Sequence, residues 1–323
     1  MAPVLGEIKK RSDWPETRQS IEAAVQEVLG KMPKEPIDPQ VKVVDEQTMG
    51  NCIRRRVNYF VDEWTRVTAW MFLPEDEMDC PAVLCLHGRT PIGKDEPAGI
   101  DAADPLLAFA SHYAARGFVT MAPDCLACGE RSASRSQPFD TRGFYKENPK
   151  WSAMGKILWD HMRCLDVLSE TKEVDAGRIG AIGHGLGGAN ALMLGAFDDR
   201  VRAIVASAGF VPFAADADPT RWIREDNLNL MPKLKAALES KQFSFDWDHI
   251  LALIAPNPAL LITSPADEAF AQPAKIDESI ALVRKLYRLL GATDAIEHVT
   301  HKSGARMTTE ALEAADEWFD RWL

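Results

Sequence analysis

The sequence predicts a doubly wound α/β domain with a mostly parallel central sheet of about eight strands and helices on both faces. Three observations carry this expectation. Short, almost continuously apolar runs recur along the chain, as strands buried on both faces require. Helical patterns fill the intervals between them, and that alternation defines the α/β class. One apolar run ends in a glycine-dense turn that opens directly into a run of small residues.

The elements follow in order. Residues 1–40 form an N-terminal helical extension, with a helix predicted over Thr17–Leu29 and then a proline-rich connector from Met32 to Pro39. Residues 41–323 form a single α/β domain. It begins with strand-like stretches at Val41–Val44, Ile53–Phe60 and Val67–Phe72. Alternation in the second of these is imperfect, so Arg54, Arg55 and Arg56 read as a solvated strand edge rather than a phosphate site. Beyond Pro81 the strand candidates are Ala82–Leu86, Phe118–Ala122, Ile179–Ile182, Ala203–Ala206, Ala259–Thr263 and Ile296–Val299. Helices are expected over Pro105–Arg116, Met154–Thr171, Gly187–Phe197, Ile276–Leu290 and Thr308–Leu323. Two long irregular passages, Asp124–Lys150 and Val211–Lys233, have the length of functional loops, and residues 211–250 read as a loop or lid insertion. Trp222, Phe243, Phe245 and Trp247 mark it as a candidate pocket wall.

Composition narrows the function. The chain has 323 residues, 46% hydrophobic and 26% charged, which excludes a disordered or collagen-like polymer. A formal net charge of −11 argues against nucleic-acid partners and anionic lipid. No apolar run approaches the ~18 residues of a membrane span, and the N-terminus lacks the basic and apolar regions of a signal peptide. A cytoplasmic location is therefore the expectation. The six cysteines sit mostly in apolar runs, and Cys125-Leu126-Ala127-Cys128 has no second ligand pair, so no metal site is expected.

The informative stretch is Arg178-Ile179-Gly180-Ala181-Ile182-Gly183-His184-Gly185-Leu186-Gly187-Gly188-Ala189. Two functional readings compete for it. Gly183, Gly185 and Gly188 satisfy the dinucleotide fingerprint G-x-G-x-x-G. However, the turn follows at least two sheet strands rather than the first, and the next strand ends in Ala206-Ser207-Ala208-Gly209 without an acid for a ribose hydroxyl. The other reading is a nucleophile elbow, G-x-S-x-G, on residues 183–187. Glycines at 183 and 187 permit the tight strand-to-helix turn, and the middle residue sits at its tip. That residue is Gly185, which has no side chain.

With this turn on the page, the chain resembles the α/β-hydrolase family, in particular the dienelactone-hydrolase and acetyl-xylan-esterase-like serine esterases. The likeness runs from about Val41 to the C-terminus. It rests on Ala82-Val83-Leu84-Cys85-Leu86-His87-Gly88, Gly93-Lys94-Asp95-Glu96, Ala122-Pro123-Asp124, Gly129-Glu130-Arg131 and Glu173-Val174-Asp175-Ala176-Gly177-Arg178-Ile179-Gly180, in that order. The resemblance implies a Ser-Asp-His triad acting on a small acyl or acetyl ester, conceivably of a carbohydrate, with no cofactor. It leaves a homo-oligomer open. The departure is Gly185, where the family has serine or cysteine.

The remaining triad members follow by position. Asp267, with Glu268 as fallback, lies just past the strand 259–263, where the family places its acid. His301 follows the last strand, whereas His298 lies within it. Backbone N–H groups of Leu186 and of Arg89 or Thr90 would form the oxyanion hole. His184 and Trp222 are candidate substrate contacts. His87 reads as structural, while His112, His161 and His249 read as helix or surface residues. Asp124 and Arg131 edge a family-like loop near the site, with ion pairing and substrate contact both open to them. Without a serine hydroxyl no acyl-enzyme can form, so this form is expected to be inactive or strongly impaired. Retention of Asp267, His301 and the glycine framework favours a recent single serine-to-glycine change, introduced to hold uncleaved substrate, over slow natural loss. A natural non-hydrolytic binding protein on the same fold is the alternative.

Overall fold

The computed structural model describes residues 5–33, 35–75, 77–132, 138–225, 227–269 and 272–323. Nine strands are described: β1 (Lys42–Met49), β2 (Cys52–Phe60), β3 (Arg66–Pro74), β4 (Cys80–Leu86), β5 (Val119–Pro123), β6 (Val174–His184), β7 (Val201–Ser207), β8 (Ala259–Thr263) and β9 (Ile296–Thr300). The helices are α1 (Trp14–Leu29), α2 (Phe109–Ala114), α3 (Arg142–Glu147), α4 (Ala153–Glu170), α5 (Leu186–Phe197), α6 (Leu234–Ser240), α7 (Trp247–Ile254), α8 (Pro273–Leu290) and α9 (Thr309–Trp322). All nine strands form one sheet, ordered β1-β2-β3-β5-β4-β6-β7-β8-β9. The first three strands join antiparallel, and the six from β5 to β9 are parallel.

The sheet has nine strands against about eight expected, and each overlaps a strand candidate of the sequence. Along β4, Ala82, Leu84 and Leu86 face one core while Val83 and Cys85 face the other. Ile204 and Ala206 divide in the same way from Ala203 and Val205. Alternate side chains point to opposite faces, so a strand covered on both must be apolar throughout. The larger core is closed by α1, α4, α5, α7 and α8, and the smaller by α2 and α9. Strand β1 is exposed along its whole length. There Glu46 pairs with Arg55 across the ladder and Gln47 with Arg54, while Arg56 bonds Glu130, so each arginine of the triplet has a protein partner.

Three sequence expectations change. The helix expected over 105–116 is split into a single turn, Pro105–Leu107, and the short α2. The irregular passage 124–150 contains α3, and its residues 133–137 lie outside those described. The insertion 211–250 holds a turn at Pro219–Trp222 followed by α6 and α7. No described helix is long and apolar enough to cross a membrane.

Candidate active site

The turn after β6 is tight because its neighbours touch backbone to backbone. A Cβ on Gly183 would lie 2.2 Å from the carbonyl carbon of Gly187, and one on Gly187 only 2.0 Å from the Leu86 carbonyl oxygen. A Cβ on Gly188 would lie 2.7 Å from the Ser207 carbonyl oxygen. Only glycine fits these three places. Gly185 differs. Its backbone is strained, with φ 56° and ψ −118°, yet a Cβ there would meet nothing within 4 Å. The tip is pinned by its own amide, which donates to the Ser207 carbonyl at 2.8 Å. Leu186 begins α5, in the first turn, where backbone N–H groups have no intrahelical acceptor and the helix dipole is positive.

The second candidate donor loop follows β4. Gly88 N–H donates to Glu96 Oε2 at 3.2 Å, and Thr90 N–H donates to the Gly88 carbonyl at 3.0 Å, so the Thr90 amide is already engaged. Arg89 borders the cavity over the elbow. Its guanidinium lies 5.0 Å from the ring centre of Phe139. His87 braces this loop: its Nδ1 lies 2.7 Å from the Gly88 carbonyl and its Nε2 accepts from Cys125 N–H at 3.0 Å. Those partners place the proton on Nδ1, and burial holds the imidazole below its usual pKa.

Beneath the loop lies a buried charge network. Lys94 Nζ is 2.7 Å from Glu130 and 3.3 Å from Asp124. Arg131 meets Asp160 at 2.8 Å. Asp124 takes the ion-paired of its two expected roles: its side chain is wholly buried and accepts the N–H groups of Lys94 and Glu130. Burial opposes the Lys94 charge, but Asp124, Glu130 and Asp95 outweigh it and hold the ammonium above the usual lysine range. His161 and His249, expected in helices or on the surface, lie in helices α4 and α7 and are buried there. Burial drives the His161 pKa down to about 3. All six cysteines are free and buried, and burial raises the Cys125 thiol to about 12, far from a reactive thiolate.

The loops after β8 and β9 approach each other. A Cβ on Gly304 would lie 3.5 Å from the Ala266 carbonyl oxygen. Asp267 is buried, and its Oδ1 accepts Ala269 N–H at 2.8 Å. His301 N–H donates to the Thr263 carbonyl at 3.1 Å, and its Nδ1 accepts Ser303 N–H at 3.2 Å. No hydrogen bond joins Asp267 to His301 in this arrangement. His184, between elbow and strand, feels the charges of both, and burial lowers its pKa. Its Nδ1 lies 3.0 Å from Ser207 Oγ, and it does not border the cavity. His298 is held inside the sheet, with Nε2 2.7 Å from Thr263 Oγ1.

A cavity of about 450 Å³ opens over Gly185 and Leu186. Asp267, Glu268, Trp222 and Arg89 border it, together with Asp216, Arg221 and Arg224, which sequence reasoning missed. The alternation Asp216-Ala217-Asp218-Pro219-Thr220-Arg221 inside a long loop was the available signal. Trp222 packs against Trp247, with ring centres 5.0 Å apart, and is almost wholly buried.

A mostly parallel sheet, a glycine elbow feeding α5, and loops after β4, β8 and β9 gathered at the strand ends define the α/β-hydrolase fold. The model of the Abhydrolase family matches residues 6–318, and the chain belongs to that family. A curated Bacillus subtilis (strain 168) protein, "Putative hydrolase YtaP", is 27% identical over 259 residues, spanning 76% of this chain and 80% of its own. Among solved structures, a glucuronoyl esterase from Solibacter usitatus superposes with a TM-score of 0.77 at 17% identity, covering 99% of this chain and 97% of its own. An acetyl xylan esterase from Paenibacillus sp. R4 gives 0.65 at 18% identity, covering 100% and 97%.

Proposed function

We propose that the protein is a carboxylic-ester hydrolase scaffold of the Ser-Asp-His type in which Gly185 stands at the nucleophile position, so that this form is inactive or strongly impaired. The observation that carries the reading is the elbow: every glycine around position 185 is required by contact, whereas the strained tip is open to a side chain. Strain of this kind is kept where chemistry uses it. A neutral small-molecule ester, of acetyl or another short acyl group on a carbohydrate, suits the cavity size and the relatives' printed activities.

In the serine form, His301 would take the hydroxyl proton as the oxygen attacks the ester carbonyl, and Asp267 would orient the imidazole and stabilise its charged form. This requires His301 Nδ1 to release Ser303 N–H and donate to Asp267, a rearrangement of two touching loops. The amides of Leu186 and Arg89 would hold the oxyanion. With glycine in place, those donors and the general base remain, and a water can be activated only slowly.

Gly185→Ser should raise turnover of p-nitrophenyl acetate by at least about 10³-fold, and the gain should vanish on adding His301→Ala. A restored serine that stays inert across several acyl lengths would overturn the reading.

A further inference from the structure

The cavity over the elbow has one wall built to a fixed orientation. Asp216 has a wholly buried side chain, while its partner Arg221 is 34% exposed and faces the cavity. Arg221 Nη2 donates to Asp216 Oδ1 at 2.6 Å, and Nε donates to the Asp218 carbonyl at 3.0 Å. Two anchors in one guanidinium plane fix that plane. Five N–H donors are available on the group, and Nη1 makes no hydrogen bond within the described protein. Arg224 beside it is paired with Asp218 at 2.5 Å.

Charge decides what such a wall can take. Arg221 and Arg224 each already have a carboxylate, and Asp267 and Glu268 border the same cavity. An anionic ligand would gain little from the paired Arg221 and Arg224 and, with Arg89 counted, would still meet a lining of four carboxylates against three arginines. A neutral hydroxyl-bearing molecule meets neither penalty, because its oxygens accept from guanidinium N–H and its O–H groups donate to the acids. We propose that Arg221 is a specificity-determining residue that holds a hydroxyl or ring oxygen of a neutral sugar ester over Gly185, with Asp216 as its positioning residue. This rests on the esterase reading of the same cavity.

The test uses acetylated xylobiose and p-nitrophenyl acetate on the Gly185→Ser protein. Arg221→Gln should lower the ratio of kcat/KM for the sugar ester over the aryl ester about 10–100-fold, mostly through KM, since an unpaired polar contact is costly to either partner. Arg221→Lys, which loses the planar fork, should not restore it, and Asp216→Asn should lower the same ratio. Calorimetry of acetylated xylobiose on the unaltered chain, against Arg221→Gln, provides a readout independent of turnover. If Gly185→Ser is inert but sugar binding is lost in Arg221→Gln, the esterase reading fails and this assignment stands. If Arg221→Gln depresses both substrates equally, or leaves binding unchanged, Arg221 only staples the loop and the assignment is overturned.

Discussion

At position 187 the backbone leaves no room for one extra carbon, and at position 185 it leaves ample room. This contrast separates a glycine that packing requires from one that it does not. Gly187→Ala would force a Cβ to within 2.0 Å of a carbonyl oxygen in the sheet. The strand or helix must then move, and a loss above about 3 kcal/mol, or failure to fold, is expected. Gly185→Ala meets only the positive-φ penalty of about 1–2 kcal/mol. Urea unfolding of the two variants measures the difference, and equal midpoints would refute this account of the elbow. The residue pattern was legible in the sequence because the turn's glycines, 183, 185, 187 and 188, fall within six residues. The state of His301 was not, because the choice between Ser303 and Asp267 as its partner is made by two distant loops.

Within single elements, the strands and long helices were legible in the sequence, and the short elements between them were not. The strands β4 and β8 lie close to their predicted bounds because both faces are covered and nearly every position is apolar. The expected helix at 105–116 broke at Ala108, whose φ and ψ of −75° and 49° end the first turn before α2 begins. Helix α7 shows a further constraint that a sequence pattern hides. Asp246 caps it, accepting the N–H groups of Phe213 at 2.8 Å and Trp247 at 2.7 Å. Burial nevertheless raises its pKa to about 6. The folded protein therefore holds this proton more tightly than the unfolded chain. Ionisation costs stability progressively as pH rises from about 4 to 6, and the whole cost is present above that window. A shift of about two units corresponds to roughly 3 kcal/mol. Asp246→Asn keeps an N-cap acceptor but cannot ionise, so at pH 8 it should be more stable than the parent by about 1–3 kcal/mol, with the gap closing at pH 4. Denaturation midpoints at the two pH values check this, and a variant equally destabilised at both would contradict it.

For the molecule as a whole, the N-terminal segment read as an extension is built into the larger core. Trp14, Ile21, Val25, Val28 and Leu29 of α1 are buried, Arg18 Nη1 donates to the Leu253 carbonyl at 2.7 Å, and Ser152 N–H donates to the Leu29 carbonyl at 2.8 Å. Five apolar side chains at about 1.5–3 kcal/mol each amount to about 10 kcal/mol, comparable with the whole stability of an ordinary domain. Removing residues 1–30 should therefore yield an unfolded or aggregated chain. A truncated protein with the parent's melting temperature would show that α1 merely rests on the surface.

The sequence by itself determined the α/β class, the strands buried on both faces and the tight glycine turn after β6, since each follows from local pattern and steric limits on neighbouring residues. Only the tertiary structure decided the rest. It set Asp216 behind Arg221 on the cavity wall, buried Asp124 with Lys94, and brought the loops of Asp267 and His301 into contact. The last two are pairings between segments distant in the chain, whose geometry depends on how the sheet twists and what its helices leave uncovered; Asp216 and Arg221 are near neighbours in one loop, and only their place on the cavity wall is set by the fold.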